Sequence, residues 1–144
     1  MPHLTLQVTQ SGPILSAAVG VSEARAAALT AADQPIPPLV PIRALVDTGA
    51  SCTCVDPSVL AALSLTPTGS VSVNTPSTGA TPHSADQYDV GLAIPNGTPL
   101  VLQTIPVVAA ELLPQGFHAL IGRDILDQCL LVYNGKIRLF TLAF

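Results

Sequence analysis

One short segment of the chain combines residue types that can do acid–base chemistry. Asp47, Thr48 and Gly49 directly follow the apolar run of residues 39–46. A carboxylate at the end of a buried strand can take a proton from a water molecule. Thr48 can hydrogen-bond to nearby backbone, and Gly49 lets a ligand or another chain approach closely. The same tripeptide is also a common turn, so on its own it assigns no chemistry.

Cysteine and histidine side chains are the other candidates. Cys52 and Cys54 have i, i+2 spacing, which on a strand places both thiols on one face. A total of three cysteines argues against a disulfide scaffold and favours a reducing compartment. The histidines are too dispersed for a metal site, so we expect neither a metal nor a cofactor; they are His3, His83 and His118.

Short strands joined by turns must position these residues, because 14 prolines and 10 glycines exclude long helices. Alternating or apolar runs predict strands over residues 4–8, 14–21, 39–46, around 55, 71–74, 86–94, 100–108, 119–121, 130–133 and 136–144. Short helices are predicted after the N-caps Ser22 and Asp56, and residues 123–128 carry one helical turn of patterning. The sequence therefore predicts an all-β single domain over residues 1–144, built as a closed or partly closed β-barrel with one or two short helices. Residues 22–38 are interpreted as a surface excursion.

The composition excludes several classes of protein. The chain is 49% hydrophobic, 10% charged and 3% aromatic, with a formal charge of −4. Its five cations are scattered and it has no tryptophan, so we expect no nucleic-acid partner. Every apolar run is too short for a membrane span, and the N-terminus lacks the pattern of a signal peptide. A cytoplasmic location is therefore favoured.

Two segments together resemble the retroviral-type aspartic proteases, the retropepsins. Ala44-Leu45-Val46-Asp47-Thr48-Gly49-Ala50-Ser51 is similar to the active-site loop of that family. The second family signature, an apolar pair followed by Gly and a short helix, is matched by Ala119-Leu120-Ile121-Gly122-Arg123-Asp124-Ile125-Leu126, about 75 residues downstream. The resemblance covers roughly residues 39–144. It implies a retropepsin-like barrel, a flap hairpin at about residues 71–90, and hydrolysis of peptide bonds.

The resemblance also implies a set of site residues. The catalytic ones would be Asp47, Thr48 and Gly49. The substrate-binding ones would be Ala50, Ser77, Thr78, Gly79, Ala80 and Leu120. A polypeptide is the implied substrate.

The mechanism of this family needs two carboxylates that share one proton, and this chain has one Asp-Thr-Gly. Asp89-Val90-Gly91 comes nearest among the other acidic positions, but it lies in an alternating strand and is interpreted as a solvated residue. We therefore expect an inactive monomer and an active C2 homodimer, with Asp47 from each chain at the axis. The apolar run Leu139–Phe144 would be an unpaired edge if left alone. The family resemblance implies a sheet that two subunits share through Leu4–Val8 and Leu139–Phe144.

Some positions depart from the family pattern. Retroviral members often have an acidic residue four positions after the catalytic Asp, paired with the Arg that follows the later Gly. Here that position is Ser51, so Arg123 needs another partner, with Asp124 and Asp127 as candidates. His118 lies near the cleft by its place in the motif, either as a substrate contact or as a half-exposed loop residue.

Three functions are compatible with these observations. The first is an aspartic endopeptidase that is active as a homodimer. The second is a catalytically silent retropepsin-like module for dimerisation or peptide binding. The third is a small β-barrel that carries Asp-Thr-Gly by chance.

Overall fold

Ten strands and three short α-helices make up residues 1–75 and 79–144, the part of the chain that the computed structural model describes. The strands are β1 His3–Gln7, β2 Ile14–Val21, β3 Val40–Val46, β4 Cys54–Val55, β5 Gly69–Val73, β6 His83–Ile94, β7 Leu100–Ala109, β8 Ala119–Ile121, β9 Leu130–Asn134 and β10 Leu139–Ala143. The helices are α1 Glu23–Ala31, α2 Pro57–Ala62 and α3 Arg123–Leu126, with a 3-10 helix at Leu113–Gln115. The predicted strands are all present, with boundaries shifted by up to three residues.

The larger sheet closes into a barrel. Within the described residues its order is β2-β3-β8-β4-β7-β6-β5, and an additional pairing of β2 with β6 joins the ends of a six-strand ring. In the described part of the chain, β5 lies outside that ring and pairs with residues 83–87, the first part of the long strand β6. The predicted all-β barrel fold is confirmed.

Two neighbouring strands of the barrel run parallel and end at the same edge. Ala44, Leu45 and Val46 of β3 pair in parallel with Ala119, Leu120 and Ile121 of β8. Because parallel strands finish together, the residues that follow each strand meet at one end of the barrel. This pairing brings Asp47 beside Gly122, although they are far apart in the chain.

Alternation along β3 separates the core from the surface. Ile42, Ala44 and Val46 are buried, whereas Arg43 between them is exposed. This is the period-2 pattern of a strand with one face against a core. The inward residues join a single apolar cluster that also takes in residues from β2, β6 and β8.

A second sheet of three strands, in the order β1-β10-β9, packs against the barrel. Phe140 and Leu142 of β10 are 1% and 0% exposed and belong to the main core. The apolar C-terminal strand is covered within the chain itself, because β10 lies between β1 and β9. The free edges of this sheet are those of β1 and β9.

The excursion between β2 and β3 contains α1. Its predicted N-cap is confirmed, because the Ser22 hydroxyl accepts a hydrogen bond from the Arg25 backbone N–H at 3.2 Å. None of the residues of α1 is buried. The helix is therefore stabilised by its cap and lies on the surface, as expected for residues 22–38.

The hairpin of β5 and β6 occupies the segment in which a flap was expected. Gly69–Val73 pairs antiparallel with residues 83–87, which leaves residues 74–82 as the connection. Two residues expected to bind substrate, Ser77 and Thr78, lie outside the described residues.

No helix in the described part of the chain has the length and apolar character needed to cross a membrane.

The N-cap of α2 is a buried carboxylate with a full set of donors. Asp56 is 5% exposed and accepts hydrogen bonds from the Ser58 backbone N–H and hydroxyl at 2.9 and 2.7 Å. The backbone N–H groups of Leu112 and Leu113 donate to its other oxygen at 2.8 and 3.0 Å. Burial would raise the pKa of Asp56, but these hydrogen bonds outweigh burial and lower its pKa to about 2.

We expect Asp56→Asn to lower the free energy of unfolding at pH 7 by about 2 kcal/mol, since the folded chain holds this carboxylate in its charged form. Because the pKa of Asp56 is lower in the folded chain than in the unfolded chain, its charge stabilises the folded state. This stabilisation is complete above the unfolded pKa of about 4 and is lost as the pH falls toward the folded pKa of about 2. The difference between variant and wild type in urea titrations should therefore narrow below pH 4. Asp33→Asn is the matched control, because Asp33 is exposed and its φ of +54° suits asparagine. An equal loss in both variants would contradict this role for Asp56.

Candidate active site

The Asp47 loop is a tight turn that begins where β3 ends. The Asp47 backbone N–H donates to the Ile121 carbonyl at 3.0 Å, which extends the pairing of β3 with β8 by one bond. Its carboxylate Oδ1 accepts from the Gly49 N–H at 2.8 Å, and its carbonyl accepts from the Ala50 N–H at 3.2 Å. A Cβ on Gly49 would lie 3.1 Å from the same Oδ1, so a glycine leaves this turn unstrained. The carboxylate is half-buried.

The backbone at Gly122, in the second signature segment, packs closely against the residues that follow the Asp47 loop. Gly122 lies so near the Cys52–Thr53 segment that a Cβ there would be 2.5 Å from the Cys52 carbonyl carbon. Any larger residue at this position would force the two segments apart. The backbone N–H of Arg123 adds a bond to the Ala50 carbonyl at 2.9 Å.

Thr53 and Asp124 form a buried clamp between the same two segments. Thr53 is 0% exposed, and its backbone N–H and hydroxyl donate to the two oxygens of Asp124 at 2.8 and 2.7 Å. The Thr53 hydroxyl also accepts from the Gly122 N–H at 3.2 Å. The Thr53 hydroxyl therefore acts both as a donor and as an acceptor, and both hydrogen bonds join the segment after the Asp47 loop to the Gly122–Asp124 segment.

The side chain of Arg123 hydrogen-bonds directly to the Asp47 loop. Its Nη1 donates to the Thr48 carbonyl at 2.9 Å. The expectation of a carboxylate partner from Asp124 or Asp127 is not what the structure gives, since Asp124 is engaged by Thr53. Because Ser51 stands in place of an acidic residue, the Arg123 guanidinium donates a hydrogen bond to a backbone carbonyl of the loop instead of pairing with a carboxylate.

A cleft of about 460 Å³ opens over Asp47. Four residues expected in the site line it together: Asp47, Gly49, Ala50 and Leu120. The other lining residues are Ser51, Cys52, Cys54, Val73, Asn74 and Thr75. Among the described residues around this cleft, Asp47 supplies the only carboxylate.

The hairpin contributes to the cleft through the end of β5. Val73, Asn74 and Thr75 form one wall, whereas the cleft lining does not include Gly79 or Ala80. Both of these residues are exposed, and Gly79 has a left-handed φ of +60°. The sequence predicted substrate contacts at residues 77–80 and did not single out the end of β5, Val73 to Thr75, which lines the cleft.

Two further cavities adjoin the cleft. One of about 580 Å³ shares Cys54, Val73, Thr75 and Leu120 with it, and one of about 370 Å³ shares Ser51, Cys52, Val73 and Asn74. The three together make a groove beneath β5. Another apolar cavity, of about 500 Å³, lies elsewhere on the barrel near Gly20 and Gly91, and the Asp47 loop does not line it.

Comparison with known proteins assigns this arrangement to a family. A family model described as aspartyl protease matches residues 38–125, which is more than half of the chain. The chain belongs to the aspartyl protease family. The matched segment spans both the Asp47 loop and the Gly122 motif that holds it.

A solved structure supports the same fold. The chain is similar to a retropepsin-like aspartic protease from Rickettsia conorii, with 16% sequence identity and a TM-score of 0.57. The likeness covers 99% of this chain and 90% of that chain. At this identity the comparison shows the fold, and it confirms the expectation of a retropepsin-like barrel. A search of curated proteins found no match.

His118 has a structural place in this aspartyl protease. Its ring Nδ1 accepts a hydrogen bond from the backbone N–H of Arg43 at 3.0 Å, and the backbone N–H of His118 donates to the Arg43 carbonyl at 2.8 Å. The side chain is half-buried and lines none of the three cavities of the groove. The interpretation as a substrate contact is therefore less well supported than that of a residue linking β3 to the start of β8.

The three cysteines are free thiols, each half-buried. Burial, together with the neighbouring Cys52, raises the pKa of Cys54 to about 12, and burial also raises the pKa of Cys129. The described residues contain no cluster of three His, Cys, Asp or Glu side chains that could hold a metal ion. Cys52 and Cys54 were noted from their spacing, but their position in the wall of the cleft emerges only from the fold.

Thr53→Val tests the clamp, because it keeps the shape of the side chain and removes both of its hydrogen bonds. We expect the free energy of unfolding to fall by about 2 to 4 kcal/mol, since the Gly122 N–H and one Asp124 oxygen lose their buried partner. Thr5→Val is the matched control, because the exposed Thr5 hydroxyl bonds only to Thr141, at 2.8 Å. Its expected loss is within about 0.5 kcal/mol. Urea unfolding of both at one chain concentration measures the difference, and equal losses would contradict the role of the clamp.

Proposed function

We propose that this chain is an aspartic endopeptidase that is active as a homodimer, with one Asp47 from each chain. The observation that carries the proposal is the state of the Asp47 carboxylate. It is half-buried in the floor of a cleft, and within the described residues it accepts a single hydrogen bond, from Gly49. The cleft therefore contains half of the acid–base pair that peptide hydrolysis requires.

The two carboxylates divide the chemical work. Two carboxylates this close cannot both ionise, so the pair holds one proton between them, and its pKa values belong to the pair. The ionised partner removes a proton from a water molecule, which attacks the carbonyl carbon of the peptide. The protonated partner donates a hydrogen bond to the carbonyl oxygen and stabilises the developing charge.

The catalytic loop must be rigid for this pairing. Thr48 is exposed in the single chain, and we propose that its hydroxyl hydrogen-bonds across the two-fold axis. Arg123 supports this position, since it holds the carbonyl of the same residue at 2.9 Å. Gly49 allows the two loops to approach each other closely.

The smaller sheet supports dimerisation. Because β10 is paired on both sides, new strand pairing has to use the edges of β1 or β9. The carbonyl of His3 on β1 already accepts a hydrogen bond from the Asn96 side chain at 2.8 Å. On β9, by contrast, Leu130, Val132 and Tyr133 are each more than half exposed. An apolar edge strand of this kind favours coverage by a second chain, so in this proposal the terminal strands Leu4–Val8 and Leu139–Phe144 form the sheet and β9 provides its most open edge.

An extended polypeptide fits the groove best. Three contiguous cavities lie along β5, and the walls of the central one are largely apolar or small side chains. An extended chain presents alternate side chains to such a row of pockets. We propose that residues 77–80 contact the substrate from the hairpin, as the family resemblance implies.

Mixing wild type with Asp47→Asn tests for a shared site. A fixed amount of wild type is mixed with an equal amount of variant, at a chain concentration where the protein is dimeric, and the chains are allowed to exchange. The cleavage activity should fall to about half of that of the wild type alone, because every mixed dimer lacks one carboxylate. The variant alone should be inactive and still dimeric. The measurement is hydrolysis of a peptide library at pH 4–7, with sedimentation to establish the oligomeric state.

Asp89→Asn is the matched control, since Asp89 lies on β6 outside the three cavities of the groove and should tolerate the same change without loss of activity. Unchanged wild-type activity in the mixture would contradict the two-chain site. Retained activity of Asp47→Asn would overturn the assignment altogether. A dimer that binds peptides but cleaves none of them would identify the silent module instead.

The pH dependence of cleavage is a separate test. We expect the rate to be highest at acidic pH and to fall toward neutral pH, as the pair loses its shared proton. We also expect inhibition by pepstatin-type compounds. The low pKa of Asp56, about 2, keeps that buried N-cap charged over the acidic working range. A rate that rises through neutral pH and resists such inhibitors would indicate a different chemistry.

A further inference from the structure

Two thiols share the cleft with Asp47. Cys52 lines both the central cavity and the cavity of about 370 Å³, and Cys54 lines the central cavity and the one of about 580 Å³. Cys129 lines none of these three cavities and packs against the main core. The chain therefore places two of its three free cysteines in the wall of one groove.

The backbone fixes Cys52 in this wall. Its carbonyl carbon lies against Gly122, and its carbonyl oxygen accepts from the Cys54 thiol at 3.7 Å. Because this backbone is held in place, a group attached to Cys52 Sγ would lie at the groove that the residue lines.

We propose that Cys52 is a modification site at which a low-molecular-weight disulfide forms a mixed disulfide and blocks the cleft. The Cys52 thiol loses its proton to solvent, and the thiolate attacks one sulfur of the small disulfide. That S–S bond breaks, a new S–S bond forms to Cys52 Sγ, and the other half leaves as a thiolate. The exchange needs no further oxidant, and excess free thiol reverses it.

Cys54 determines which product persists. An intramolecular disulfide would require the Cys54 thiolate to attack the adduct on Cys52. Burial, the largest cause, raises the pKa of Cys54 and disfavours that thiolate. We therefore expect the mixed disulfide on Cys52 to be the product that persists.

Hydroxyethyl disulfide is a suitable small, uncharged probe for the full chain at pH 8. We expect intact mass to show one adduct per chain and peptide mapping to place it on Cys52, formed on the order of tenfold or more faster than at Cys54 or Cys129. Cys52→Ser should abolish this fast adduct, and Cys52→Ala serves as a second variant. Cys129→Ser, the matched control, should label as wild type does.

The effect on the cleft has two readouts. Methyl NMR signals of Val73 and Leu120, which line the cleft, should shift in the adduct, whereas that of Val101, on another face of the barrel, should not. Peptide cleavage should fall roughly tenfold or more and return after treatment with dithiothreitol. The loss of cleavage rests on the proposed function, but the adduct map and the NMR shifts do not, so the two can fail separately.

Three outcomes would overturn the inference. The fast adduct could map to Cys54 or Cys129. The product could be a Cys52–Cys54 disulfide, recognised by the loss of two hydrogens and no added mass. The Cys52 adduct could leave the Val73 and Leu120 signals unshifted.

Discussion

The parallel pairing of β3 with β8 is the constraint on which the rest of the site depends. It makes two strands end together, so Asp47 and Gly122 meet although about 75 residues separate them. Gly122 then sits on the Cys52–Thr53 backbone with no room for a Cβ. The hydrogen bonds of Thr53 with Asp124 keep the segments in register. The Asp47 turn is thus held on one side by the pairing of β3 with β8 and on the other by the backbone around Gly122.

This construction explains why the departure at Ser51 is tolerated. A loop that is braced at several backbone atoms does not need an additional surface ion pair, and exposed ion pairs contribute little in any case. The Arg123 guanidinium instead takes the carbonyl of Thr48 and adds a charge-assisted bond to the loop itself. Arg123 therefore holds the backbone of Thr48, the residue whose hydroxyl is proposed to hydrogen-bond across the dimer axis.

Local signals in the sequence predicted most of the fold. The alternation in residues 14–21 and the caps at Ser22 and Asp56 are set by neighbours a few residues away, so β2, α1 and α2 were found at nearly their observed positions. Long-range pairing was less accessible. The turn Asn134-Gly135 favours a closing hairpin, so the pairing of β9 with β10 is predicted locally, whereas the pairing of β10 with β1 of the same chain is not. In the site, Asp47 and Leu120 were found from their motifs. Cys52, Cys54 and the end of β5 line the cleft because of how β5 lies relative to the Asp47 loop, and no local pattern encodes that placement.

The hydrogen bonding of three aspartates separates structural carboxylates from a chemical one. In the described part of the chain, Asp56 accepts four hydrogen bonds and Asp124 accepts three, and both hold backbone segments together. Asp47 accepts one and faces a cleft. The donors around Asp56 lower its pKa to about 2 and hold it in its charged form. In the proposed function, the free acceptor capacity of Asp47 is used to share a proton with a second carboxylate. The fold thus uses two of these acids to hold backbone segments together, whereas Asp47 keeps acceptor capacity in the cleft, which the proposed pairing with a second chain would use.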